Sequence, residues 1–343
     1  MKRSMWVGLL MWLSGTTAAA QPHQQWESGG KIMGTWYQVK VAHANNRALA
    51  GLQGEIDRGL AGDNALLSTW QPDSTLSRFN RYAGTDPQAV PAGMARAVRV
   101  ALQVAARTGG AMDITVGPLV NLWGFGPGGI PANTPDVTTL AEAQKRVGWW
   151  HLHLSERHGQ SWMQKDLPSL SVDLSTVGEG YAADHLAALM AHRGINNYLV
   201  SVGGAVVTRG VSASGQPWKV AIQQPTDQQT RVEAVVDLQG HGISTAGSYR
   251  NYYQRQGRRL SHIIDPASGQ PVTHHLVSAT VIAASALQAD AWDTGLMVLG
   301  PQRAKQLAVS EGLAVYLIIA TDQGFISWAS PAFAGYLISS TAH

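Results

Sequence analysis

The chain has 343 residues, 45% of them hydrophobic and 14% charged, with a formal net charge of +3 and no cysteine. A chain of this length and apolar content buries one large core or two smaller ones, which excludes an intrinsically disordered protein. Without cysteine there is no structural disulfide, no thiolate nucleophile and no lipidated cysteine of the bacterial lipoprotein kind.

In chain order, Lys2 and Arg3 precede an apolar run over residues 5–13, which ends at Thr16-Thr17-Ala18-Ala19-Ala20. This is the pattern of a secretory signal cleaved after Ala20, and the run is too short to span a bilayer. A soluble periplasmic protein is expected, without a stable membrane span after cleavage. The alternative is a tether to the inner membrane by an uncleaved N-terminal segment. Removing Lys2 and Arg3 from the total of +3 leaves +1. No basic run interleaved with aromatics remains, so no nucleic-acid partner is expected.

Residues 21–343 read as a single domain, with no repeat period and no low-complexity linker. Thr35–Ala42 reads as a strand and residues 47–60 as a helix. Residues 94–107 have helical apolar spacing and stop at Gly109-Gly110. The Gly/Pro cluster at 124–131 is a loop; residues 140–147 and 181–192 are further helices, the latter ending at Gly194. Strand-like runs follow at Tyr198–Val202, 218–222, 232–238, 260–264 and 277–283. Residues 285–299 read as a helix, and Pro301 starts another at its first turn. Residues 314–320 read as a buried strand whose length and flanks are not those of a membrane segment. This mixture predicts an α+β fold, with mixed sheets and packed helices in two closely packed subdomains, over a doubly wound parallel sheet.

The strongest chemical signal is Ala289-Asp290-Ala291-Trp292-Asp293-Thr294. Helical positions three and four apart are surface neighbours, so Asp290, Asp293 and Thr294 converge on one point. Three hard oxygen donors suit Mg²⁺, which leaves room for substrate phosphates. The apolar flanks put these carboxylates against a core, where they need a partner.

Five other segments carry polar groups for which structural and functional readings both stand. Ser68-Thr69-Trp70 with residues 74–80 sets an indole beside polar side chains in a loop. Asp113, inside the apolar run 110–119, either bonds a turn or meets a ligand. Residues 172–181 read as a strand breaking into glycines before a helix, which would offer backbone donors to an anion. Gly203-Gly204 and residues 244–248 are short loops where backbone can approach a phosphate. His262, in Ser261-His262-Ile263-Ile264-Asp265-Pro266, is either a hydrogen-bonded core residue or a catalyst. The paired histidines His151/His153 and His274/His275 are not expected to form an independent metal site.

In this order the segments resemble the ApbE family of FAD:protein FMN transferases. The resemblance runs from Met33-Gly34-Thr35 to Gly312-Leu313-Ala314-Val315. It is carried by residues 113–119, Val200-Ser201-Val202-Gly203-Gly204, His262-Ile263-Ile264-Asp265-Pro266 with Gly269 and Pro271, and Ala289-Asp290-Ala291 with Thr294. Many members carry Lys where this chain has Glu179, an acid where it has Ala205, and Asp where it has Ser248.

The resemblance implies a T-fold-related architecture. It also implies a Mg²⁺-dependent cut of FAD in which FMN passes to a threonine hydroxyl of an acceptor protein and AMP is released. Thr176, Asp290 and Thr294 map to metal ligands, Thr176 through its carbonyl, with Asp293 an additional ligand. FAD, the bound substrate, would lie across Met33, Trp70, Ala111, Met112, Asp113, Asp173, Glu179 and Ile264. His262 is the candidate general base. The implied acceptors are exported subunits of the sodium-pumping NADH:quinone reductase or Rnf type. Two other functions compete: an FAD pyrophosphatase releasing FMN and AMP, and a non-catalytic flavin-binding protein.

Overall fold

A computed structural model describes residues 25–226, 231–249 and 251–340. The signal-like residues 1–20 lie outside the described residues. Among the described residues, no helix is long and apolar enough to cross a membrane.

The α+β class is as expected, and every ladder among the described strands is antiparallel. The main sheet has eight strands: Gln25–Ile32, Thr35–Ala42, Tyr198–Val202, Ala205–Arg209, Gly242–Gly247, Leu276–Ala283, Ala314–Thr321 and Gly324–Ala329. They neighbour one another in that chain order. Smaller sheets pair Tyr252–Arg255 with Arg258–Ser261, join Gln88–Val90, Leu152–Arg157 and Gln160–Lys165, and join Val220–Gln223, Val232–Val236 and Leu337–Ser340.

Burial explains why two central strands read as continuous apolar runs. Successive side chains on a strand point to opposite faces. Val281, Val315 and Leu317 share a core with Leu287, Ala291 and Leu296 of the helix Ala286–Ser310. Their chain neighbours Ile282, Tyr316 and Ile318 pack instead with Ile222, Val236 and Phe333 on the other face. Both faces of the sheet are therefore covered here. At the other end, Val39, Val41, Val200 and Val202 pack on Leu52, Ile56, Leu60, Ala182, Ala183 and Leu186.

Several boundaries differ from the sequence reading, each for a local reason. The helix read over 47–60 is two, Asn46–Leu49 and Leu52–Leu67, divided at Gly51 with φ of 70°. The helix read at 140–147 is Val137–Gln144, displaced because the Asp136 side chain accepts the Thr139 N–H at 2.7 Å and fixes its start. The region read as a loop around residues 74–80 contains the helix Thr75–Arg81, capped by Ser74, whose side chain accepts from the Ser77 N–H. The strand read over 260–264 stops at Ser261, where its ladder ends, leaving His262 outside it. Residues 285–299 and the helix at Pro301 form one run, Ala286–Ser310, kinked at Gly300 with φ of 74°. The helix read from Tyr181 begins at Ser175, so Gly178 and Gly180 lie inside it and not in a strand-to-helix turn.

Candidate active site

The Thr176 helix (Ser175–His192) and the Asp290 helix (Ala286–Ser310) approach closely because glycine lies between them. A Cβ on Gly180 would stand 2.4 Å from the Ala286 carbonyl oxygen and 2.8 Å from Asp290 Cβ. With only hydrogen there, the Gly180 N–H donates to Asp290 Oδ2 at 2.8 Å. That N–H is the one an α-helix would aim at the Thr176 carbonyl, so Asp290 competes with that carbonyl for it. One turn on, Asp184 accepts the N–H groups of Ala286 at 2.9 Å and Leu287 at 3.3 Å. Ser285 adds its own cap by accepting from Gln288 at 3.2 Å. Free N–H groups at a helix start are satisfied this way, and here they also fix the register between the two helices.

The acid face predicted on the second helix is buried. Asp290 is 7% exposed and Asp293 1%. Asp290 Oδ1 accepts from Ser244 Oγ at 3.1 Å, and Asp293 Oδ1 accepts from Thr294 Oγ1 at 3.3 Å. Asp293 Oδ2 and Thr176 Oγ1 are buried and have no hydrogen-bond partner. Burial first, and then the neighbouring Glu179, hold the Asp290 carboxyl well above the usual carboxylate range. Burial and then Asp290 do the same to Asp293. Glu179 Oε2 accepts the Gly204 N–H at 2.7 Å, which holds the tight turn between paired Val202 and Ala205. One donor of the expected Gly203-Gly204 phosphate loop is thus already taken.

Two mutually repelling buried carboxylates can be relieved by protonation or by a cation. An orphaned carboxylate oxygen, a second carboxylate and the Thr294 hydroxyl make an all-oxygen donor set, which fits a hard divalent ion. Among the described residues, no group of three or more His, Cys, Asp or Glu side chains forms a metal cage. The donors that fit are two carboxylates supplemented by hydroxyl and carbonyl oxygens.

The 111–113 loop is held against this helix. A Cβ on Gly295 would stand 3.1 Å from Met112 Cβ, and Met112 is fully buried. Ala111 is half-buried, its N–H directed to the Thr108 carbonyl at 3.4 Å. Asp113 takes the turn-bonding role: Oδ1 accepts from Thr115 N and Oγ1, both at 2.7 Å, and Oδ2 accepts from Trp149 N at 3.1 Å. Burial raises its pKa while these bonds oppose the rise. The backbone N–H of Asp173 donates to the Ile114 carbonyl at 2.6 Å, and its Oδ1 accepts from Ser175 N at 2.9 Å, at the start of the Thr176 helix.

His262 is fixed by one carbonyl. Both its backbone N–H, at 3.2 Å, and its Nδ1, at 2.9 Å, bond to the Asn251 oxygen. A carbonyl only accepts, so Nδ1 carries the proton and the neutral ring keeps a lone pair on Nε2. Burial lowers the imidazole pKa, opposed by the Asn251 bond, and Phe125 stands edge-on at 6.3 Å. Ile263 shares the core of Met112, Ala291 and Leu296, which ties this segment to the acid helix. Ile264 is 5% exposed and bridges to Pro271 across the turn bonded by Asp265.

Met33 and Gly34 form the two-residue loop between paired Ile32 and Thr35, with φ of 50° and 76°. Both positive values match the primed hairpin turns. The Met33 side chain packs on the core of Tyr37, Val202 and Ala286. Trp70 is 64% exposed in the turn after Ser68, and the described contacts do not join it to the acid cluster. The structure thus gathers Thr176, Glu179, Asp290, Asp293 and Thr294, with Ala111 to Asp113 and Asp173 alongside. Ser244, Asp184 and Gly180 were missed as supports; Asp184 lies four residues after Gly180, and that spacing was the available signal.

An antiparallel sheet backing two helices that share a buried cluster of oxygen groups defines an α+β protein, and the solved relatives have this fold. The flavin transferase ApbE from Vibrio cholerae superposes with a TM-score of 0.84 at 38% identity, covering 92% of this chain and all of that one. Proteins named FAD:protein FMN transferase match from Klebsiella pneumoniae, 52% identical over 340 residues with 98% and 97% of the two chains covered, and from Escherichia coli, 53% identical over 310 residues with 90% and 88% covered. The ApbE family model matches residues 33–317, and the chain belongs to that family.

Proposed function

We propose that the protein is a Mg²⁺-dependent FAD:protein FMN transferase acting on an exported redox-complex subunit. The observation that carries the reading is the orphaned Asp293 Oδ2 and Thr176 Oγ1 beside two carboxyls pushed far above their usual range, in a member of this family. Asp290, Asp293, Thr294 and the Thr176 carbonyl would hold the cation, which supplies charge neutralisation at the FAD pyrophosphate.

The rest of the reaction falls to side chains. The acceptor threonine Oγ attacks the flavin-side phosphorus, the bridging P–O bond breaks, and AMP leaves with the bond's electron pair. His262 Nε2 takes the threonine proton. Its availability is supported by the Nδ1 bond to Asn251 and by the lowered pKa, which keep the ring neutral near pH 7. Met33, Trp70, the 111–113 loop, Asp173, Glu179 and Ile264 would line FAD. Residues 1–20 support a periplasmic location, where a subunit of the sodium-pumping NADH:quinone reductase or Rnf type would be the acceptor.

Intact-mass analysis of such a subunit after incubation with FAD and Mg²⁺, with and without EDTA, tests the reading. Gain of one FMN mass, lost with EDTA, supports it. FAD cut to free FMN and AMP without an acceptor would point to a pyrophosphatase instead.

A further inference from the structure

Between the strand Gln160–Lys165 and the Thr176 helix runs an irregular segment, residues 166–174, which carries Asp173. Leu170, Val172 and Leu174 are each no more than 1% exposed, and they alternate with Ser171 and Asp173. Ser171 and Asp173 keep part of their surface exposed. Position along this segment therefore decides where Asp173 stands and where the helix bearing Thr176 begins.

Lys165 lies at the foot of that segment, 1% exposed. A buried ammonium is costly unless all its donors are used. Its Nζ donates to three backbone carbonyls: Pro168 at 2.8 Å, Asn80 at 3.1 Å and Leu170 at 3.2 Å. It also stands 5.5 Å above the Phe79 ring. Asn80 adds a second clasp: its amide donates to the Val172 carbonyl and accepts from the Val172 N–H, both at 2.8 Å. The segment is thus pinned at Pro168, Leu170 and Val172, just ahead of Asp173, whose N–H is held by Ile114.

We infer that Lys165, with Asn80, is a positioning residue for flavin transfer: its ammonium clamps residues 168–172 and so sets Asp173 against FAD and Thr176 against the cation. The inference rests on the reading of Asp173 and Thr176 given above. On that reading neither Lys165 nor Asn80 is among the residues that line FAD; each acts through the backbone it holds. A methionine at 165 keeps most of the volume and removes every donor.

The test compares Lys165→Met and Asn80→Ala in the full chain, following FMN transfer against FAD and Mg²⁺ concentration. Arg193→Met serves as a control, because Arg193 also binds backbone carbonyls, those of Ala48 and Ala50, but at the far end of the Thr176 helix. Both clamp variants are expected to raise the KM for FAD or the half-saturating Mg²⁺ at least fivefold, with kcat at saturation within about twofold. Arg193→Met, compared at equal loss of Tm, is expected to leave both constants unchanged. If the clamp variants shift these constants no more than the control does, Lys165 is merely structural and the inference is overturned. Should Lys165→Met fail to fold, Asn80→Ala decides by the same criterion. Asp173→Asn and Asp290→Asn separate the two levels. If they leave both constants unmoved, the reading of the site fails and takes the clamp with it. If they move the constants and the clamp variants do not, only the clamp fails.

Discussion

Asp184, in the middle of one long helix, accepts the first N–H groups of the other at Ala286 and Leu287, so each helix sets the other's register. The same carboxylate meets Arg96 at 3.0 Å. Asp184→Ala is expected to cost about 1–2 kcal/mol of stability, the usual loss for a cap. Because the cap also places Asp290, transfer activity should fall further than the loss of folded protein explains. Chemical denaturation alongside FMN labelling of an acceptor checks both; labelling that merely follows the folded fraction would argue against a register role.

Asp293 is held at a cost to the fold, since its Oδ2 has no partner and Asp290 repels it. Asp293→Asn should leave the Tm of the metal-free protein unchanged or higher. In the wild type, Mg²⁺ at a hundred times its Kd should stabilise by about 2.7 kcal/mol. Thermal scans across a Mg²⁺ series should show most of that increment missing from the variant.

His262 predicts the acid side of the pH profile. Its ordinary value is 6.5 and burial lowers it, so the neutral base persists to lower pH than a free imidazole would allow. The acid limb of kcat/KM should therefore fall below pH 6.5, with activity lost as pH drops through it. His262→Ala should reduce transfer about 100- to 10,000-fold and remove that limb. Undiminished labelling by the variant would take His262 out of the base role.

Gly180 is where side-chain volume is least tolerated. Gly180→Ala places a methyl group 2.4 Å from the Ala286 oxygen, and backbone cannot yield cheaply there. Overpacking of this kind costs about 1–3 kcal/mol. Moving the helices apart should also lengthen the Gly180–Asp290 bond, with at least a tenfold loss of labelling. A variant as active and stable as the wild type would show that the close approach is dispensable.

Much of this was legible because the relevant signals are local. Thr35–Ala42 and Tyr198–Val202 have the boundaries their alternation predicts, and the Asp290–Thr294 face follows from helical spacing alone. The start of the Thr176 helix was not legible. Gly178 and Gly180 read as breakers, and only the partner helix across the contact explains Gly180 in a helix interior, whereas a Cβ at Gly178 would meet nothing within 4 Å. Asp113 reads equally well as a ligand or a turn-former until Thr115 and Trp149 are seen around it. The orphaned oxygens of Asp293 and Thr176 are likewise invisible in a sequence, since being unpartnered depends on everything nearby.

Gly180 and Asp290 are bonded across 110 positions of chain. A polypeptide emerging N-terminus first therefore has the 111–113 loop, Asp173 and Thr176 long before it has the carboxylates that complete the cluster. The site is completed only when the second helix is in place, so a chain truncated before it would carry half of the cluster.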